Sequence, residues 1–438
     1  MKKILIPTLL TGVLLTQVAC NKEYLNPSTI SQSQAVSSPD GLMTLANGLQ
    51  YRYTTGAAGS VLYASTAGAG LTTKEEFVLN AGNLDEVNLT VGAGNVSNIN
   101  SVVVNLWTKS HLVRANAELI LANTNVVSDA GTKSGIIGYA SIFRALSLGT
   151  LGLFFEQSPI TTGTNVPFVP RVDVFKSAIA TLETAATQVA SAPVSADFTS
   201  KIVTGIDITN TIQALIARYA LFAGDYDKAL AAAAKVDLTK KSVYNFDDNT
   251  RNPLFEATFG NLNVIQPTNV NLGLTGALAP DPADKRLAFL TKVSSNTAVA
   301  PVVASAFYTA NGAAVPVYLP GEILLIQAEA YARKGDLANA VIALNKVLTK
   351  TGSSTDTYFG LGAALPAYSG AQTADAILLE ILRNRNIELA YQGFRLEDSR
   401  RFNRPGPGAT GSERNRNFFP YPLTERNNNT STPADPSI

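Results

Sequence analysis

Two residue types that carry much of protein chemistry occur once each in this chain: cysteine at Cys20 and histidine at His111. Cys20 follows Ala19 at the end of a leader made of Lys2, Lys3 and an uncharged, largely apolar stretch from Ile4 to Val18. A basic start, a short apolar run and a small residue before the cut describe a secretory signal. The run is shorter than the roughly 20 apolar residues that cross a bilayer. A cysteine directly after a small residue is where a bacterial lipoprotein takes its acyl chains. Residues 1–19 are therefore expected to be removed, leaving Cys20 as a lipid anchor outside the cytoplasm.

A lipidated Cys20 leaves no thiol for a disulfide, a nucleophile or a zinc site. His111 alone cannot supply the several imidazoles that most zinc and iron sites use, and it lies in a helical run beside Trp107 and Arg114, where a packed or surface role is expected. No motif positions two acids for glycoside hydrolysis. The expectation is a non-enzyme with no catalytic residues, no metal and no cofactor.

The remaining chemistry is recognition. Residues 244–316 are rich in Asn and Pro and hold Phe246, Phe255, Phe259, Phe307 and Tyr308, with Tyr318 just beyond. An apolar ring face stacks on a sugar ring, and amides donate to and accept from its hydroxyls. The same aromatics would equally serve a small core beneath a long loop. Charged residues make up 15% of the chain, well below the usual quarter or so. The 34 basic residues, less Lys2 and Lys3, face 33 acidic ones, a net charge of about −1 after cleavage. No basic footprint for nucleic acid exists, and a polar, weakly charged surface suits neutral, hydroxyl-rich partners.

The elements that must hold these loops are helical, because apolar residues recur at three- and four-residue spacing and strand-like alternation is scarce. Ala217, Gly224, Asp225 and Ala229 recur in spacing as Ala328, Gly335, Asp336 and Ala340. A small residue allows two helices to cross closely, a glycine ends the first, and the following Asp caps the second. This is tetratricopeptide logic. Helical hairpins are expected at about 102–155, 172–236, 321–350 and 374–402, and loop-rich regions at about 51–100, 244–316 and 403–438, with a further irregular stretch from Ser353 to Thr373. The very apolar run Ile136–Phe155 is interrupted by Arg144 and is expected to be a buried helix.

Several stretches, in order, resemble the SusD/RagB family of nutrient-binding lipoproteins. The opening Cys20-Asn-Lys-Glu-Tyr-Leu-Asn-Pro27 is followed by Trp107, Arg114-Ala-Asn116 and Tyr139-Ala-Ser-Ile-Phe-Arg-Ala145. The turns Ala223-Gly-Asp-Tyr-Asp-Lys-Ala-Leu230 and Glu329-Ala-Tyr-Ala-Arg-Lys-Gly-Asp336 come next. The closing run Arg383-Asn-Arg-Asn-Ile-Glu-Leu-Ala-Tyr-Gln-Gly-Phe-Arg395, then Asp398, Arg400, Arg401 and Phe419-Pro-Tyr-Pro-Leu-Thr-Glu425, completes the series. Its arginines and acids read as a partly buried ion network, with Arg395 forking onto Glu388 or Asp398.

The resemblance implies a mainly α fold: tetratricopeptide-like hairpins forming a scaffold, with a loop-rich ligand-binding half, in a single domain over 20–438. It implies a cell-surface lipoprotein of the outer membrane that delivers an oligosaccharide, or in some branches a peptide, to a SusC-like TonB-dependent transporter. The family's ligand face maps onto Phe77, Asn80, Asn83 and Asp85 in the first loop region and Phe307, Tyr308 and Asn311 in the second. A repeat scaffold that binds only proteins remains a further reading.

Overall fold

The computed structural model describes residues 31–352 and 361–438. The expectations for the leader, for Cys20 and for part of the 353–373 stretch lie outside the described residues.

The helices stack in chain order. Ser101–Ala122 packs on Ala130–Phe154, which packs on Arg171–Ser191, and that in turn on Ile208–Ala223. Ile208–Ala223 pairs with Tyr226–Ala233, which meets Pro320–Arg333; the latter packs on Leu337–Leu348 and on Ala374–Glu388. Side-chain caps start most of these helices: Asn100 accepts from the amides of Val102 and Val103, Asp129 from Thr132 and Asp207 from Asn210.

The two repeated turns form by the same local physics. Gly224 and Gly335 end their helices with φ of +80° and +83°, a left-handed conformation that costs other residues roughly 1–2 kcal/mol. A Cβ at either position would meet nothing within 4 Å, so the backbone angle, not space, demands glycine. Asp225 and Asp336 then cap the next helices by accepting from the amides of Lys228 and Asn339. Ala217, Ala229, Ala328 and Ala340 are all fully buried where the helices cross.

Ala130–Phe154 is the one helix among the described residues long and apolar enough to cross a membrane, and it lies buried inside the molecule. Arg144 meets Glu118 of the preceding helix at 3.1 Å. Gly149 lets Tyr219 approach so closely that a Cβ would sit 2.2 Å from its hydroxyl.

Residues 51–100 depart from the irregular region expected. They hold the helix Val61–Thr72, a short helix Leu84–Val91 and the end of Pro39–Thr54. Val61–Thr72 is made of Ala, Gly, Ser and Thr as much as of large apolar residues, and ten of its twelve residues are buried. A helix covered all round shows no apolar stripe, so periodicity misses it.

The loop-rich half is stitched by two-stranded ribbons. Glu76–Val78 pairs antiparallel with Ile265–Pro267, with Phe77 opposite Gln266. This ribbon joins the first loop region to the second across almost 190 residues of chain. A second hairpin, Thr291–Val293 with Val302–Ala304, lies within the 244–316 insertion.

The closing segment forms the buried ion network, with different partners for Arg395. Arg385 donates to Asp398 at 2.8 Å and 3.1 Å, and Arg401 bridges Asp398 and Glu329 at 2.5 Å each. Glu388 is taken by Arg286 at 3.0 Å, which also pairs with Asp284 at 2.7 Å. With both expected carboxylates engaged elsewhere, Arg395 donates instead to the carbonyl of Leu272, at 2.6 Å. Burial pushes Glu329 up, but Arg401 and Arg385 outweigh it and hold the carboxyl below its ordinary value.

Candidate functional site

The Glu76–Val78 ribbon ends in a cluster of amides contributed by both loop regions. Asn80 Nδ2 donates to Asn263 Oδ1 at 3.1 Å, while Asn83 Nδ2 donates to the carbonyls of Asn80 and Asn263 at 3.0 Å and 2.9 Å. Asn261 Oδ1 accepts from the amide of Asn263 at 2.9 Å, and Leu262 between them has a φ of +50°. A non-glycine residue held left-handed is a local strain that the surrounding hydrogen bonds must enforce, and such strain gathers at binding turns. Asn80, Asn261 and Asn263 are exposed, Asn83 and Phe77 half-buried.

This arrangement can hold a hydroxyl-rich ligand. Each amide offers one acceptor and two donors, and the intra-cluster bonds use only part of that capacity. Phe77, and Phe255 packed against Gly260, add half-exposed ring faces. The amides are oriented before any ligand arrives, which lowers the ordering cost of binding.

The structure brings Phe77, Asn80 and Asn83 together and assigns the other four expected residues different work. Asp85 Oδ2 accepts from the amide of Ser101 at 3.0 Å, so its carboxylate sits at the N-terminus of Ser101–Ala122, where negative charge is favoured. Phe307 and Tyr308 turn inward, 5% and 1% exposed. Tyr308 packs against Phe259 and Tyr391 with ring centroids 5.3 Å and 5.7 Å apart. Their burial removes them as stacking platforms; the core reading of these aromatics prevails. The backbone carbonyl of Asn311 accepts from the amide of Asn252 at 2.7 Å, and Asn252 Nδ2 also holds the carbonyls of Phe307 and Ala313. That segment is thereby clamped by a buried amide.

Asn261 and Asn263 were not singled out in the sequence. The signal available was the Asn-Leu-Asn turn after Gly260, but its partnership with Asn80 spans 183 residues and has no local trace.

Beneath the ribbon the electrostatics are unusual. Glu76 is 1% exposed and both its carboxylate oxygens lack a hydrogen-bond partner. Burial, and then the neighbouring Glu75, push it well above the ordinary carboxylate range. Glu75 is also raised by burial, although Arg395 and the amide of Tyr391 pull it back. The hydroxyls of Tyr308 and Tyr391 are pushed up by the same burial and the same two acids.

Trp107 is packed, not displayed. It stacks on Phe168 at 5.7 Å, meets His111 edge-on at 4.5 Å, and donates Nε1–H to Glu425 at 3.1 Å. Arg114 lies 3.1 Å from His111 Nδ1. A guanidinium only donates, so Nδ1 accepts and the ring proton sits on Nε2. Burial, with Arg114 second, keeps this imidazole well below its usual value and therefore neutral. Among the described residues no group of three His, Cys, Asp or Glu side chains is placed to hold a metal ion.

Residues 240–436 match the model of the SusD family. A SusD superfamily protein from Bacteroides vulgatus superposes with a TM-score of 0.66 at 15% identity, covering 92% of this chain and 98% of that one. A SusD-like carbohydrate binding protein from the same species gives 0.65 at 16% identity, over 82% of this chain and 83% of that one. A further SusD-like carbohydrate binding protein, from Bacteroides fragilis, gives 0.64 at 16% identity over 91% and 99%. At these identities the likeness is one of fold. No curated protein sequence matches the chain.

Proposed function

We propose that this chain, whose residues 240–436 match the SusD family model and whose mainly helical fold resembles that of a SusD superfamily structure, is a nutrient-binding receptor. It captures an oligosaccharide on the loop face around Phe77, Asn80, Asn83, Asn261 and Asn263. It then passes the ligand to a SusC-like TonB-dependent transporter, held at the outer membrane by an acyl chain on Cys20. It binds without chemistry.

The observation that carries this reading is the amide cluster, in which exposed side chains from two distant loop regions are oriented on one turn beside half-exposed phenylalanines. Asn80 and Asn261 also close local turns, through the amide of Gly82 and the carbonyls of Glu256 and Ala257, and those bonds hold the cluster in place. The carbohydrate binding named for the similar Bacteroides structures agrees with it.

Isothermal titration of the purified protein against neutral oligosaccharide pools is the test. Saturable heat with no released product is expected. Heat with tryptic oligopeptides and none with glycans would replace the sugar with a peptide, and product formation would overturn the non-enzymatic role. Detergent co-purification with a large barrel protein tests the transporter partnership, and mass spectrometry of Cys20 tests the anchor.

A further inference from the structure

We propose that the pocket between the Lys74 turn and the closing segment is a carboxylate-binding subsite, suited to an acidic sugar unit or another small ligand bearing a carboxylate. This rests on the receptor role above and names a ligand class for it that the weakly charged composition does not suggest.

The pocket has a volume of about 300 Å3 and is lined by Thr73, Lys74, Thr275, Asn386, Arg395 and Ser412, among others. Arg395 is 8% exposed, and one guanidinium nitrogen, Nη1, donates to the carbonyl of Leu272. Its Nε and Nη2 have no acceptor and are themselves sealed from solvent, so a ligand reaches them by displacing the thin side-chain cover of this wall. These two N–H groups form the side-on fork that matches the two oxygens of a carboxylate. A guanidinium cannot escape by losing its proton, and leaving a buried charge without a partner is costly. Glu75 acts on Arg395 electrostatically, yet one of its oxygens accepts from the amide of Tyr391 at 3.1 Å, and it closes no ion pair with the fork. Asn386 Oδ1, among the residues of this pocket, is buried without a donor; a carboxylate has none to offer, so its partner would be a hydroxyl of the same ligand.

The charged side chains that line the pocket have a positive balance, although the buried Glu75 and Glu76 also act on Arg395. Arg404 and Glu413 cancel each other through paired bonds of 2.5 Å and 3.0 Å. Lys74 Nζ meets the carbonyl of Ser412 at 2.7 Å, not a carboxylate. Two cations, Lys74 at the rim and Arg395 in the wall, therefore border a space lined also by Thr275, Ser399 and Ser412.

The backbone is bent to make this space. Lys74 and Leu272 hold φ of +62° and +56°, and Asn403, next to Arg404, holds +51°. Side chains rarely adopt that region unless the surroundings enforce it. At Leu272 the bend belongs to the turn whose carbonyl meets Arg395. At Gly273 a Cβ would lie 2.0 Å from the carbonyl oxygen of Lys74, so the two turns are pressed together. Lys74 is six residues before Asn80, which places the pocket rim within about 20 Å of the amides.

The test titrates the purified full chain with glucuronic acid, with glucose, and with N-acetylglutamate, following binding by calorimetry. Glucuronic acid should bind saturably and glucose should not. Lys74→Ala, an exposed change, should weaken glucuronate roughly tenfold, and Arg395→Lys, which keeps the charge but loses the fork, should weaken it at least as much. Binding of N-acetylglutamate in place of glucuronate keeps the subsite and assigns its carboxylate to an amino acid. Should Arg395→Lys fail to fold, Lys74→Ala decides alone. Equal responses to glucose and glucuronate, or a Lys74→Ala affinity unchanged from wild type, would overturn the proposal. If neutral oligosaccharides bind while both acids are silent, the subsite falls and the receptor role stands; if no saccharide or acid binds, both fall.

Discussion

Arg218, on the helix Ile208–Ala223, reaches across to Glu322 at the start of Pro320–Arg333 and forks onto its carboxylate, with Nε at 2.5 Å and NH2 at 2.7 Å. NH2 also donates to the carbonyl of Val317, at 2.8 Å, and the two side chains are 3% and 1% exposed. This pair ties the helices before the 244–316 insertion to the helix that follows it. It therefore fixes the two ends of the loop segment that supplies Asn261 and Asn263.

Breaking one half of such a pair leaves the other charge buried and unmatched. Glu322→Ala should lower the unfolding free energy by about 3–5 kcal/mol, whereas the double change Arg218→Met with Glu322→Leu should recover most of that loss. Urea unfolding followed by circular dichroism measures both. A single variant as stable as wild type would show that the pair does not hold the helices.

The glycine turns admit a smaller and more local prediction. Gly335 has open space around it and a φ of +83°, so Gly335→Ala introduces only backbone strain, about 1 kcal/mol. Gly335→Asn should cost less, because Asn tolerates the left-handed region. If the two variants were equally destabilised, side-chain contact and not φ would be the cause.

These turns were legible because everything they need is local: a glycine for the angle, the next Asp for the cap and small residues at the crossing. The buried apolar helix with Arg144 was legible for the same reason. The helix Val61–Thr72 was not, since its small residues are covered on every side and leave no stripe. Phe307 and Tyr308 show the limit at the site itself: composition marks aromatic residues in a loop, but only the packing of Phe259 and Tyr391 decides that they face inward. Of the seven expected ligand residues, those next to the ribbon fell together because strand pairing placed them there, and that pairing joins positions almost 190 residues apart. The fork of Arg395 was assigned to the wrong carboxylates because proximity in sequence says nothing about which acids other arginines have already taken.

Two buried acids should shape the pH dependence in opposite directions. Glu397 is pushed up by burial, but Arg171, Arg400 and Arg401 win and hold it at about 2, below its ordinary 4.5. A depressed carboxyl stabilises the fold above its unfolded value, and that stability is lost as the pH falls from about 4.5 towards 2. Glu397→Gln should therefore be less stable at neutral pH and show a shallower acid limb. Glu76 is the reverse case, raised by burial and then by Glu75. Its folded form keeps a proton that the unfolded chain releases, so its contribution is fully present below 4.5 and declines as the pH rises through the folded value. Glu76→Gln should gain stability at neutral pH and match wild type in acid. Unfolding midpoints across the pH range read both variants, and a Glu76→Gln protein less stable than wild type at neutral pH would mean the carboxyl is charged and paired.

The amide turn gives the sharpest prediction for binding. Asn263 presents its side chain to Asn80 and its carbonyl to Asn83, and it is exposed. Asn263→Ala removes the side-chain partner of Asn80 while leaving the backbone acceptor for Asn83 in place. Stability should change by no more than about 0.5 kcal/mol, as for most surface substitutions. Affinity for a bound neutral oligosaccharide should fall roughly tenfold, because the loss of one oriented amide removes about one hydrogen bond and frees a second side chain to wander. Phe77→Ala should weaken binding through lost ring contact, and Phe307→Ala should instead unsettle the core, by about 3–5 kcal/mol. The contrast separates a ligand face from a scaffold surface: were Asn263→Ala and Phe77→Ala both to bind the saccharide as wild type does, the ligand would have to sit elsewhere on the molecule.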